Sequence, residues 1–431
     1  MNLSFFVIGL SIVPQMIQEV DVLTLDEAVA IAKQKAFNVL SSQMELERIK
    51  GVVREAYSML LPKIDFEATY TRFDKEMTTM FDSSEVVIRP IDRKKLTLTL
   101  RQPIDISGML SLGVSSARAL ERSSNELITA AVNNAALNAK SAYYDVMKAM
   151  ELVSVAEENM KNAQARFDLA KKRVDAGVAP RFEVIRAQAD LSSAEQGLIR
   201  AQNNVSIAKA NLNNVLARDI NTPFEIERIE TAPKIEADME QLKKTAQENR
   251  PELKSLRNQV EYFTAVRRGR ERERFPKLNL SVQFEHDPDA QGFGSEKDML
   301  FGTATLGFPI YEGGEIAARV KQARAEEEKA RIALREASLA VELEVHQAYL
   351  DVQTAYKVVE TARRNVDEAK EALRLATIRY EAGVSIQVEV SDASVQYIDA
   401  LTSYVNAIAD YRMALARLQR AIGTEKIPIK E

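Results

Sequence analysis

The sequence predicts a mainly α fold with a small β part, built as a duplicated unit of long coiled-coil helical hairpins plus two β-hairpins. Three observations predict it. A heptad-type seam alternates a larger apolar residue with alanine, as in Val345, Ala348, Val352, Ala355, Val359 and Ala362, and runs on to Tyr380. After Gly383 it resumes from Val390 to Leu418, and the whole pattern recurs 206 residues earlier, around Gly177. Ahead of each seam lies a pair of short segments that alternate apolar and polar residues.

A seam with that repeat faces a partner continuously only if the helices supercoil left-handedly, and alanine at every second position lets the backbones approach. Aligning Ala142–Ala217 with Ala348–Gly423 gives 23 identities in 76 pairs without a gap, so the chain reads as a duplication.

Composition narrows the function classes. The formal net charge is −5 with both signs dispersed, and no basic arm or block suggests a nucleic-acid partner. Cysteine is absent, which rules out disulfides, thiolate metal sites and a cysteine nucleophile. His286 and His346 fall in different elements without a ligand cluster, so neither a metal site nor any cofactor is expected. No phosphate-cradling glycine loop or nucleophile elbow occurs, and no enzymatic activity is expected.

Met1–Val13 is an apolar run too short to span a bilayer, and residues 1–20 read as a signal peptide. No other run reaches transmembrane-helix length, so any membrane crossing falls to strands. The first repeat is expected over 21–217, an inter-repeat linker over 218–238, the second repeat over 239–423 and a tail over 424–431.

Within the first repeat, Thr24 and Glu27 form a capping-box signature for a helix running to about Leu60, ended by Pro62. Ile64, Phe66, Ala68 and Tyr70 then alternate with polar residues, a polar loop of about twenty residues follows, and Leu96, Leu98 and Leu100 alternate again until Pro103. A helix from about Met109 to Ala176 would be roughly 100 Å long at 1.5 Å per residue. Gly177-Val178-Ala179-Pro180 interrupts it, and a return helix reaches about Ala217. The second repeat follows the same order: a helix from about Met239 to Phe275, with a candidate break at Arg250-Pro251, then strands over Leu278–Phe284 and Ala304–Phe308.

Each hairpin carries one apolar face and one face of Asp, Glu, Thr, Asn and Gln. Four strands cannot close a barrel. Pooled among several chains they form an outward apolar band around a wet lumen. The plain alternative is an antiparallel sheet packed on the helices, but the helical apolar residues are already committed to the seam.

The strand end Phe308-Pro309-Ile310-Tyr311-Glu312-Gly313-Gly314, and Arg379-Tyr380-Glu381-Ala382-Gly383-Val384-Ser385 followed by Glu389-Val390 and Asp392-Ala393, resemble the TolC-like outer-membrane efflux proteins, also called outer membrane factors. The resemblance covers Thr24 to Gly423. The first copy departs in having Phe37-Asn38-Val39-Leu40 where that family shows an Asn-Pro type turn. The resemblance implies a homotrimer whose chains each give four strands to one twelve-stranded β-barrel in the outer membrane of a Gram-negative-type cell. The barrel would be continued by an α-helical periplasmic tunnel.

It further implies a passive exit duct for a tripartite efflux or type I secretion system, gated at the helical tips. Partners would be a periplasmic adaptor (membrane fusion protein), through it an inner-membrane pump, and outer-membrane lipid. The tips Gly177, Val178, Ala179, Gly383, Val384 and Ser385 would dock the adaptor. Glu389 and Asp392, three apart on one helix face, would form stacked acidic rings at a constriction, with Glu183 contributing from the first copy, and Tyr380 would hydrogen-bond between neighbouring hairpins in the closed state. Competing readings are a periplasmic adaptor and a structural coiled-coil scaffold. The two amphipathic β-hairpins argue against both.

Overall fold

In a computed structural model, residues 22–81, 84–227, 234–235, 237–291 and 296–427 are described. The expected signal peptide, part of the linker and the last four residues of the tail lie outside them. The protein is mainly helical. Its elements run β1 (Val22–Leu23), α1 (Leu25–Lys35), α2 (Phe37–Ser58), β2 (Lys63–Arg72), β3 (Met77–Phe81), β4 (Ser84–Arg89), β5 (Asp92–Ile104), α3 (Met109–Asp175) and α4 (Arg181–Val215). There follow β6 (Glu225–Ile226), α5 (Met239–Asn249), α6 (Pro251–Arg272), β7 (Lys277–His286), β8 (Asp298–Gly307), α7 (Glu315–Glu381) and α8 (Gln387–Ile422).

The chain divides into two compact units, each assembled from separated stretches. One comprises Met1–Ala36, Ala135–Ile235 and Asp351–Arg417. Its helices pack through small seam residues: Ala163, Leu191 and Ala194 are buried together against Met160 and Phe167. Tyr143 is fully buried, with its hydroxyl 3.2 Å from the Leu23 carbonyl and 3.3 Å from that of Glu227, so it stitches the parallel β1–β6 pair to α3. Helix α1 starts as predicted, with Thr24 and Glu27 making both bonds of a capping box.

The other unit comprises Phe37–Asn134, Glu236–Leu350 and Leu418–Glu431. It holds a four-stranded antiparallel sheet in the order β2-β5-β7-β8. Register gives the sheet its two faces. Leu98 stands between Phe66 and Phe284, and Leu100 between Ile64 and Val282, while Phe284 pairs with Leu300 on β8. On the opposite face Thr99 stands between Asp65 and Gln283, and Lys95 bridges Glu285 at 2.7 Å. Met299 and Phe301 are apolar exceptions on that polar face. Among the described residues nothing covers the apolar face: Phe66 is 68% exposed and Leu300 71%. Strands β2 and β8 each have one edge that is unpaired among the described residues.

Arg250, buried between α5 and α6, donates to the Arg420 and Ala421 carbonyls at 3.2 Å each and to Glu344 at 2.9 Å, holding the end of α8 in this unit. Gly423 follows at φ +72°, where a Cβ would lie 3.1 Å from the Arg250 nitrogen. Tyr349 donates to the Ala237 carbonyl at 3.0 Å, just before the Asp238 cap of α5. That repeats in the second copy the contact of Tyr143 with Leu23 before the Thr24 cap, the tyrosines lying 206 residues apart and the capped helix starts 214.

Three expectations need correction. The helix expected from Thr24 to about Leu60 is two helices: Ala36 has ψ 134°, outside the helical region, so α1 closes there and α2 begins at Phe37. The polar loop of the first β-hairpin contains its own antiparallel pair, β3 with β4. Pro103 does not close its strand but stands opposite Asn279 inside β5. Pairing of β5 with β2 stops at Arg101, which leaves one edge of β5 free and makes a proline tolerable. The break expected at Arg250-Pro251 is present, with Pro251 opening α6.

Candidate functional site

The two turns joining α3 to α4 and α7 to α8 share one backbone solution. Val178 N–H donates to the Arg173 carbonyl at 3.0 Å and Gly177 N–H to that of Val174 at 2.9 Å. Val384 repeats the first with Arg379 at 3.0 Å, and Gly383 the second with Tyr380 at 3.0 Å. Such a closure requires a left-handed residue after the helix, and Gly177 and Gly383 supply φ of +74° and +77°. A Cβ at either would meet nothing within 4 Å, so the glycines serve conformation rather than space. Val178 and Val384 stand out at the turns, 67% and 70% exposed, while Ala179 and Ser385 are half-buried beside them.

Tyr380, from the last turn of α7, reaches the first turn of α4. Its hydroxyl donates to Glu183 Oε2 at 2.7 Å, and its side chain is almost wholly buried. Arg173, on α3, lies over the Tyr380 ring at 4.4 Å and donates to the Tyr380 carbonyl at 2.5 Å. Three helices thus meet on one phenol. Burial pushes the Tyr380 hydroxyl up to about 12, helped by its bond to the Glu183 carboxylate and by that group's charge, while Arg173 opposes the shift.

The predicted acids occupy different surroundings. Glu389 accepts from Ser385 Oγ at 2.5 Å and lies 3.6 Å from Arg379, so its charge is part-compensated within its own turn. Asp392 is exposed and makes no ion pair among the described residues. Glu183, the expected ring contributor from the first copy, has one oxygen engaged by Tyr380.

Sequence reasoning missed Arg173, although the signal was present: each copy has an arginine four residues before its turn glycine, Arg173 and Arg379. It also missed the contacts deeper along the same hairpins. Arg166 on α3 donates to Ser394 on α8 at 2.6 Å, and Ser391 donates to Asp190 on α4 at 3.3 Å.

His286 pairs with Asp298 at 2.6 Å across β7 and β8. Among the described residues no group of three or more His, Cys, Asp or Glu is placed to hold a metal ion, and no helix is long and apolar enough to cross a membrane.

Comparison with known proteins places this geometry. The model of the family described as "Outer membrane efflux protein" matches residues 28–218 and 242–424, well over half of the chain. Nodulation protein T of Rhizobium leguminosarum bv. viciae is 25% identical over 306 residues, covering 69% of this chain and 63% of that protein, under two thirds of its length. Among solved structures, the CmeC outer membrane channel of Campylobacter jejuni superposes with a TM-score of 0.78 at 17% identity, covering 93% of this chain and 85% of that one. The outer membrane protein VceC of Vibrio cholerae gives a TM-score of 0.77 at 18% identity, with coverages of 93% and 96%. At such identities these structures establish the fold.

Proposed function

The chain belongs to the outer membrane efflux protein family, and from that premise we propose that it is the outer-membrane exit duct of a tripartite efflux or type I secretion system. The observation that carries this reading is the sheet. Its strands of ten to thirteen residues are long enough to cross hydrocarbon, one face is apolar and uncovered, the other is polar, and both outer strands keep an open edge. Three copies pairing β8 of one with β2 of the next would close twelve antiparallel strands with Phe66, Leu98, Phe284 and Leu300 against lipid.

The helical hairpins continue this bore as a periplasmic tunnel, and transport through it is passive. The turns at Gly177 to Ala179 and Gly383 to Ser385 offer exposed Val178 and Val384 to a periplasmic adaptor, which brings an inner-membrane pump. The closed state is held by Tyr380 on Glu183 and by Arg173 on Tyr380. Opening moves the hairpins apart and breaks these contacts. Asp392, with Glu389 beside it, faces the constriction as an acidic ring that favours cations.

The test is the stoichiometry of the detergent-purified protein, followed by single-channel conductance and ion selectivity in a planar bilayer. A three-chain, cation-preferring channel is the expected result. A monodisperse single chain that forms no pore sinks the proposal.

A further inference from the structure

Beside the Tyr380 contact, helices α3, α7 and α8 line a half-open cavity of about 380 Å³. Leu169, Leu373 and the buried Val390 give it apolar walls, and its polar lining includes the cations Arg166 and, at the exposed rim, Lys172, with the uncharged Gln387, Asn162 and Thr377. Two acids, Asp168 and Glu381, also reach the rim but are exposed to solvent, and Asp168 is already bonded to Gln164 at 3.0 Å.

Arg166 is the informative residue. Its guanidinium is half-buried and, among the described residues, bonds only the neutral hydroxyl of Ser394 and keeps an enclosed Nε with no acceptor. Asp190 is the acid whose field reaches it, yet the two form no ion pair, and Asp190 instead accepts from Ser391. Gln387, 5% exposed, borders the same space without a protein partner for its amide among the described residues. A part-desolvated cation that lacks a counter-charge is unfavourable, and Gln387 beside it offers an amide to a ligand. An anion placed in the cavity would satisfy both, while the apolar walls take up a hydrophobic body.

We propose that this cavity binds a small amphipathic anion, a monocarboxylate with an aromatic or branched apolar body, its carboxylate on Arg166 and Gln387. Bound there it joins α3 to α7 and α8, adding to the α3–α7 contact that Arg173 and Tyr380 already make, and so holds the turns together. This second consequence rests on the exit-duct reading. Binding itself does not.

The experiment uses the full chain in detergent, with para-trifluoromethylbenzoate as probe observed by fluorine NMR and para-trifluoromethylbenzyl alcohol as the neutral control. The benzoate is expected to bind and the alcohol to bind at least tenfold more weakly. Arg166→Gln should abolish that preference, and Thr377→Met, which narrows the cavity from its wall, should weaken both ligands. Equal affinity of the benzoate for the parent and Arg166→Gln proteins, equal affinity of the two ligands for the parent, or no binding at millimolar concentration overturns the site. In a planar bilayer the benzoate should lower the conductance of the parent and leave that of Arg166→Gln unchanged. Binding without any effect on conductance overturns the clamping role, and failure of the protein to conduct at all tests the duct reading alone.

Discussion

Replacing Tyr380 by Phe removes one hydroxyl and little else. The ring stays under Arg173, and the backbone carbonyl that Arg173 holds is untouched. What is lost is the donor 2.7 Å from the Glu183 carboxylate. A hydrogen bond to a charged group contributes about 1.5–3 kcal/mol. Glu183 is only half-buried, so water replaces the missing donor and the lower figure, about 1.5 kcal/mol, applies. Under the duct reading, that is roughly a tenfold shift toward the open arrangement for one chain. If three turns open together the losses sum to about 4.5 kcal/mol, on the order of a thousandfold. The assay is single-channel recording in a planar bilayer, read as open fraction and conductance. Glu183→Gln, which keeps an acceptor but loses the charge, should show a smaller rise. An open fraction for Tyr380→Phe within threefold of the parent would refute the reasoning, because the contact would then hold nothing closed.

The same contact predicts a pH response. Tyr380 is pushed from an ordinary 10.0 to about 12, so under the duct reading the closed state keeps, between those values, a proton that the open state has lost. The stabilisation is fully present below about pH 10 and disappears as pH rises toward 12, so conductance should climb over that window in the parent and not in Tyr380→Phe. Replacing Glu389 and Asp392 together by Ala should reduce the cation preference measured from reversal potentials. Unchanged selectivity would remove both from the constriction. On the sheet, Leu98→Lys places a charge on the apolar face and should destabilise the assembled protein by about 2–4 kcal/mol. Thr97→Lys on the polar face should leave it folded, and equal thermal stability of the two would refute the assignment of faces.

The long helices, their turns and the four strands of the sheet were legible because each is written in a local period. Gly177 and Gly383 interrupt a seam, and Leu96, Leu98 and Leu100 alternate with polar neighbours. The break at Arg250-Pro251 was legible for the same reason, since proline is a local signal. The matching break at Ala36 was not, because alanine is a good helix former and Thr24 to Leu60 carries no glycine or proline before Gly51. The β3–β4 pair is too short to show a period, and Pro103 misled because its tolerance depends on where a neighbouring strand stops. At the candidate site, Tyr380 and Glu183 were both singled out, but not as partners. Their contact joins residues 197 apart in sequence through the relative rotation of two helices, and no period encodes that. Arg166 was invisible for a related reason: an arginine on a charged helix reads as solvated until its neighbours are known.

Under the duct reading, the edges of β2 and β8 that are unpaired among the described residues dictate an order of events in the life of the protein. Each is ten residues long, and half its backbone amides and carbonyls point outward with no partner in the same copy. In hydrocarbon every such group costs several kcal/mol, so under the duct reading a lone copy is barred from entering the bilayer. Recruitment of sister copies must therefore precede or accompany insertion. Until then the newly made polypeptide carries two sticky margins that have to be shielded from mispairing during its transit to the membrane.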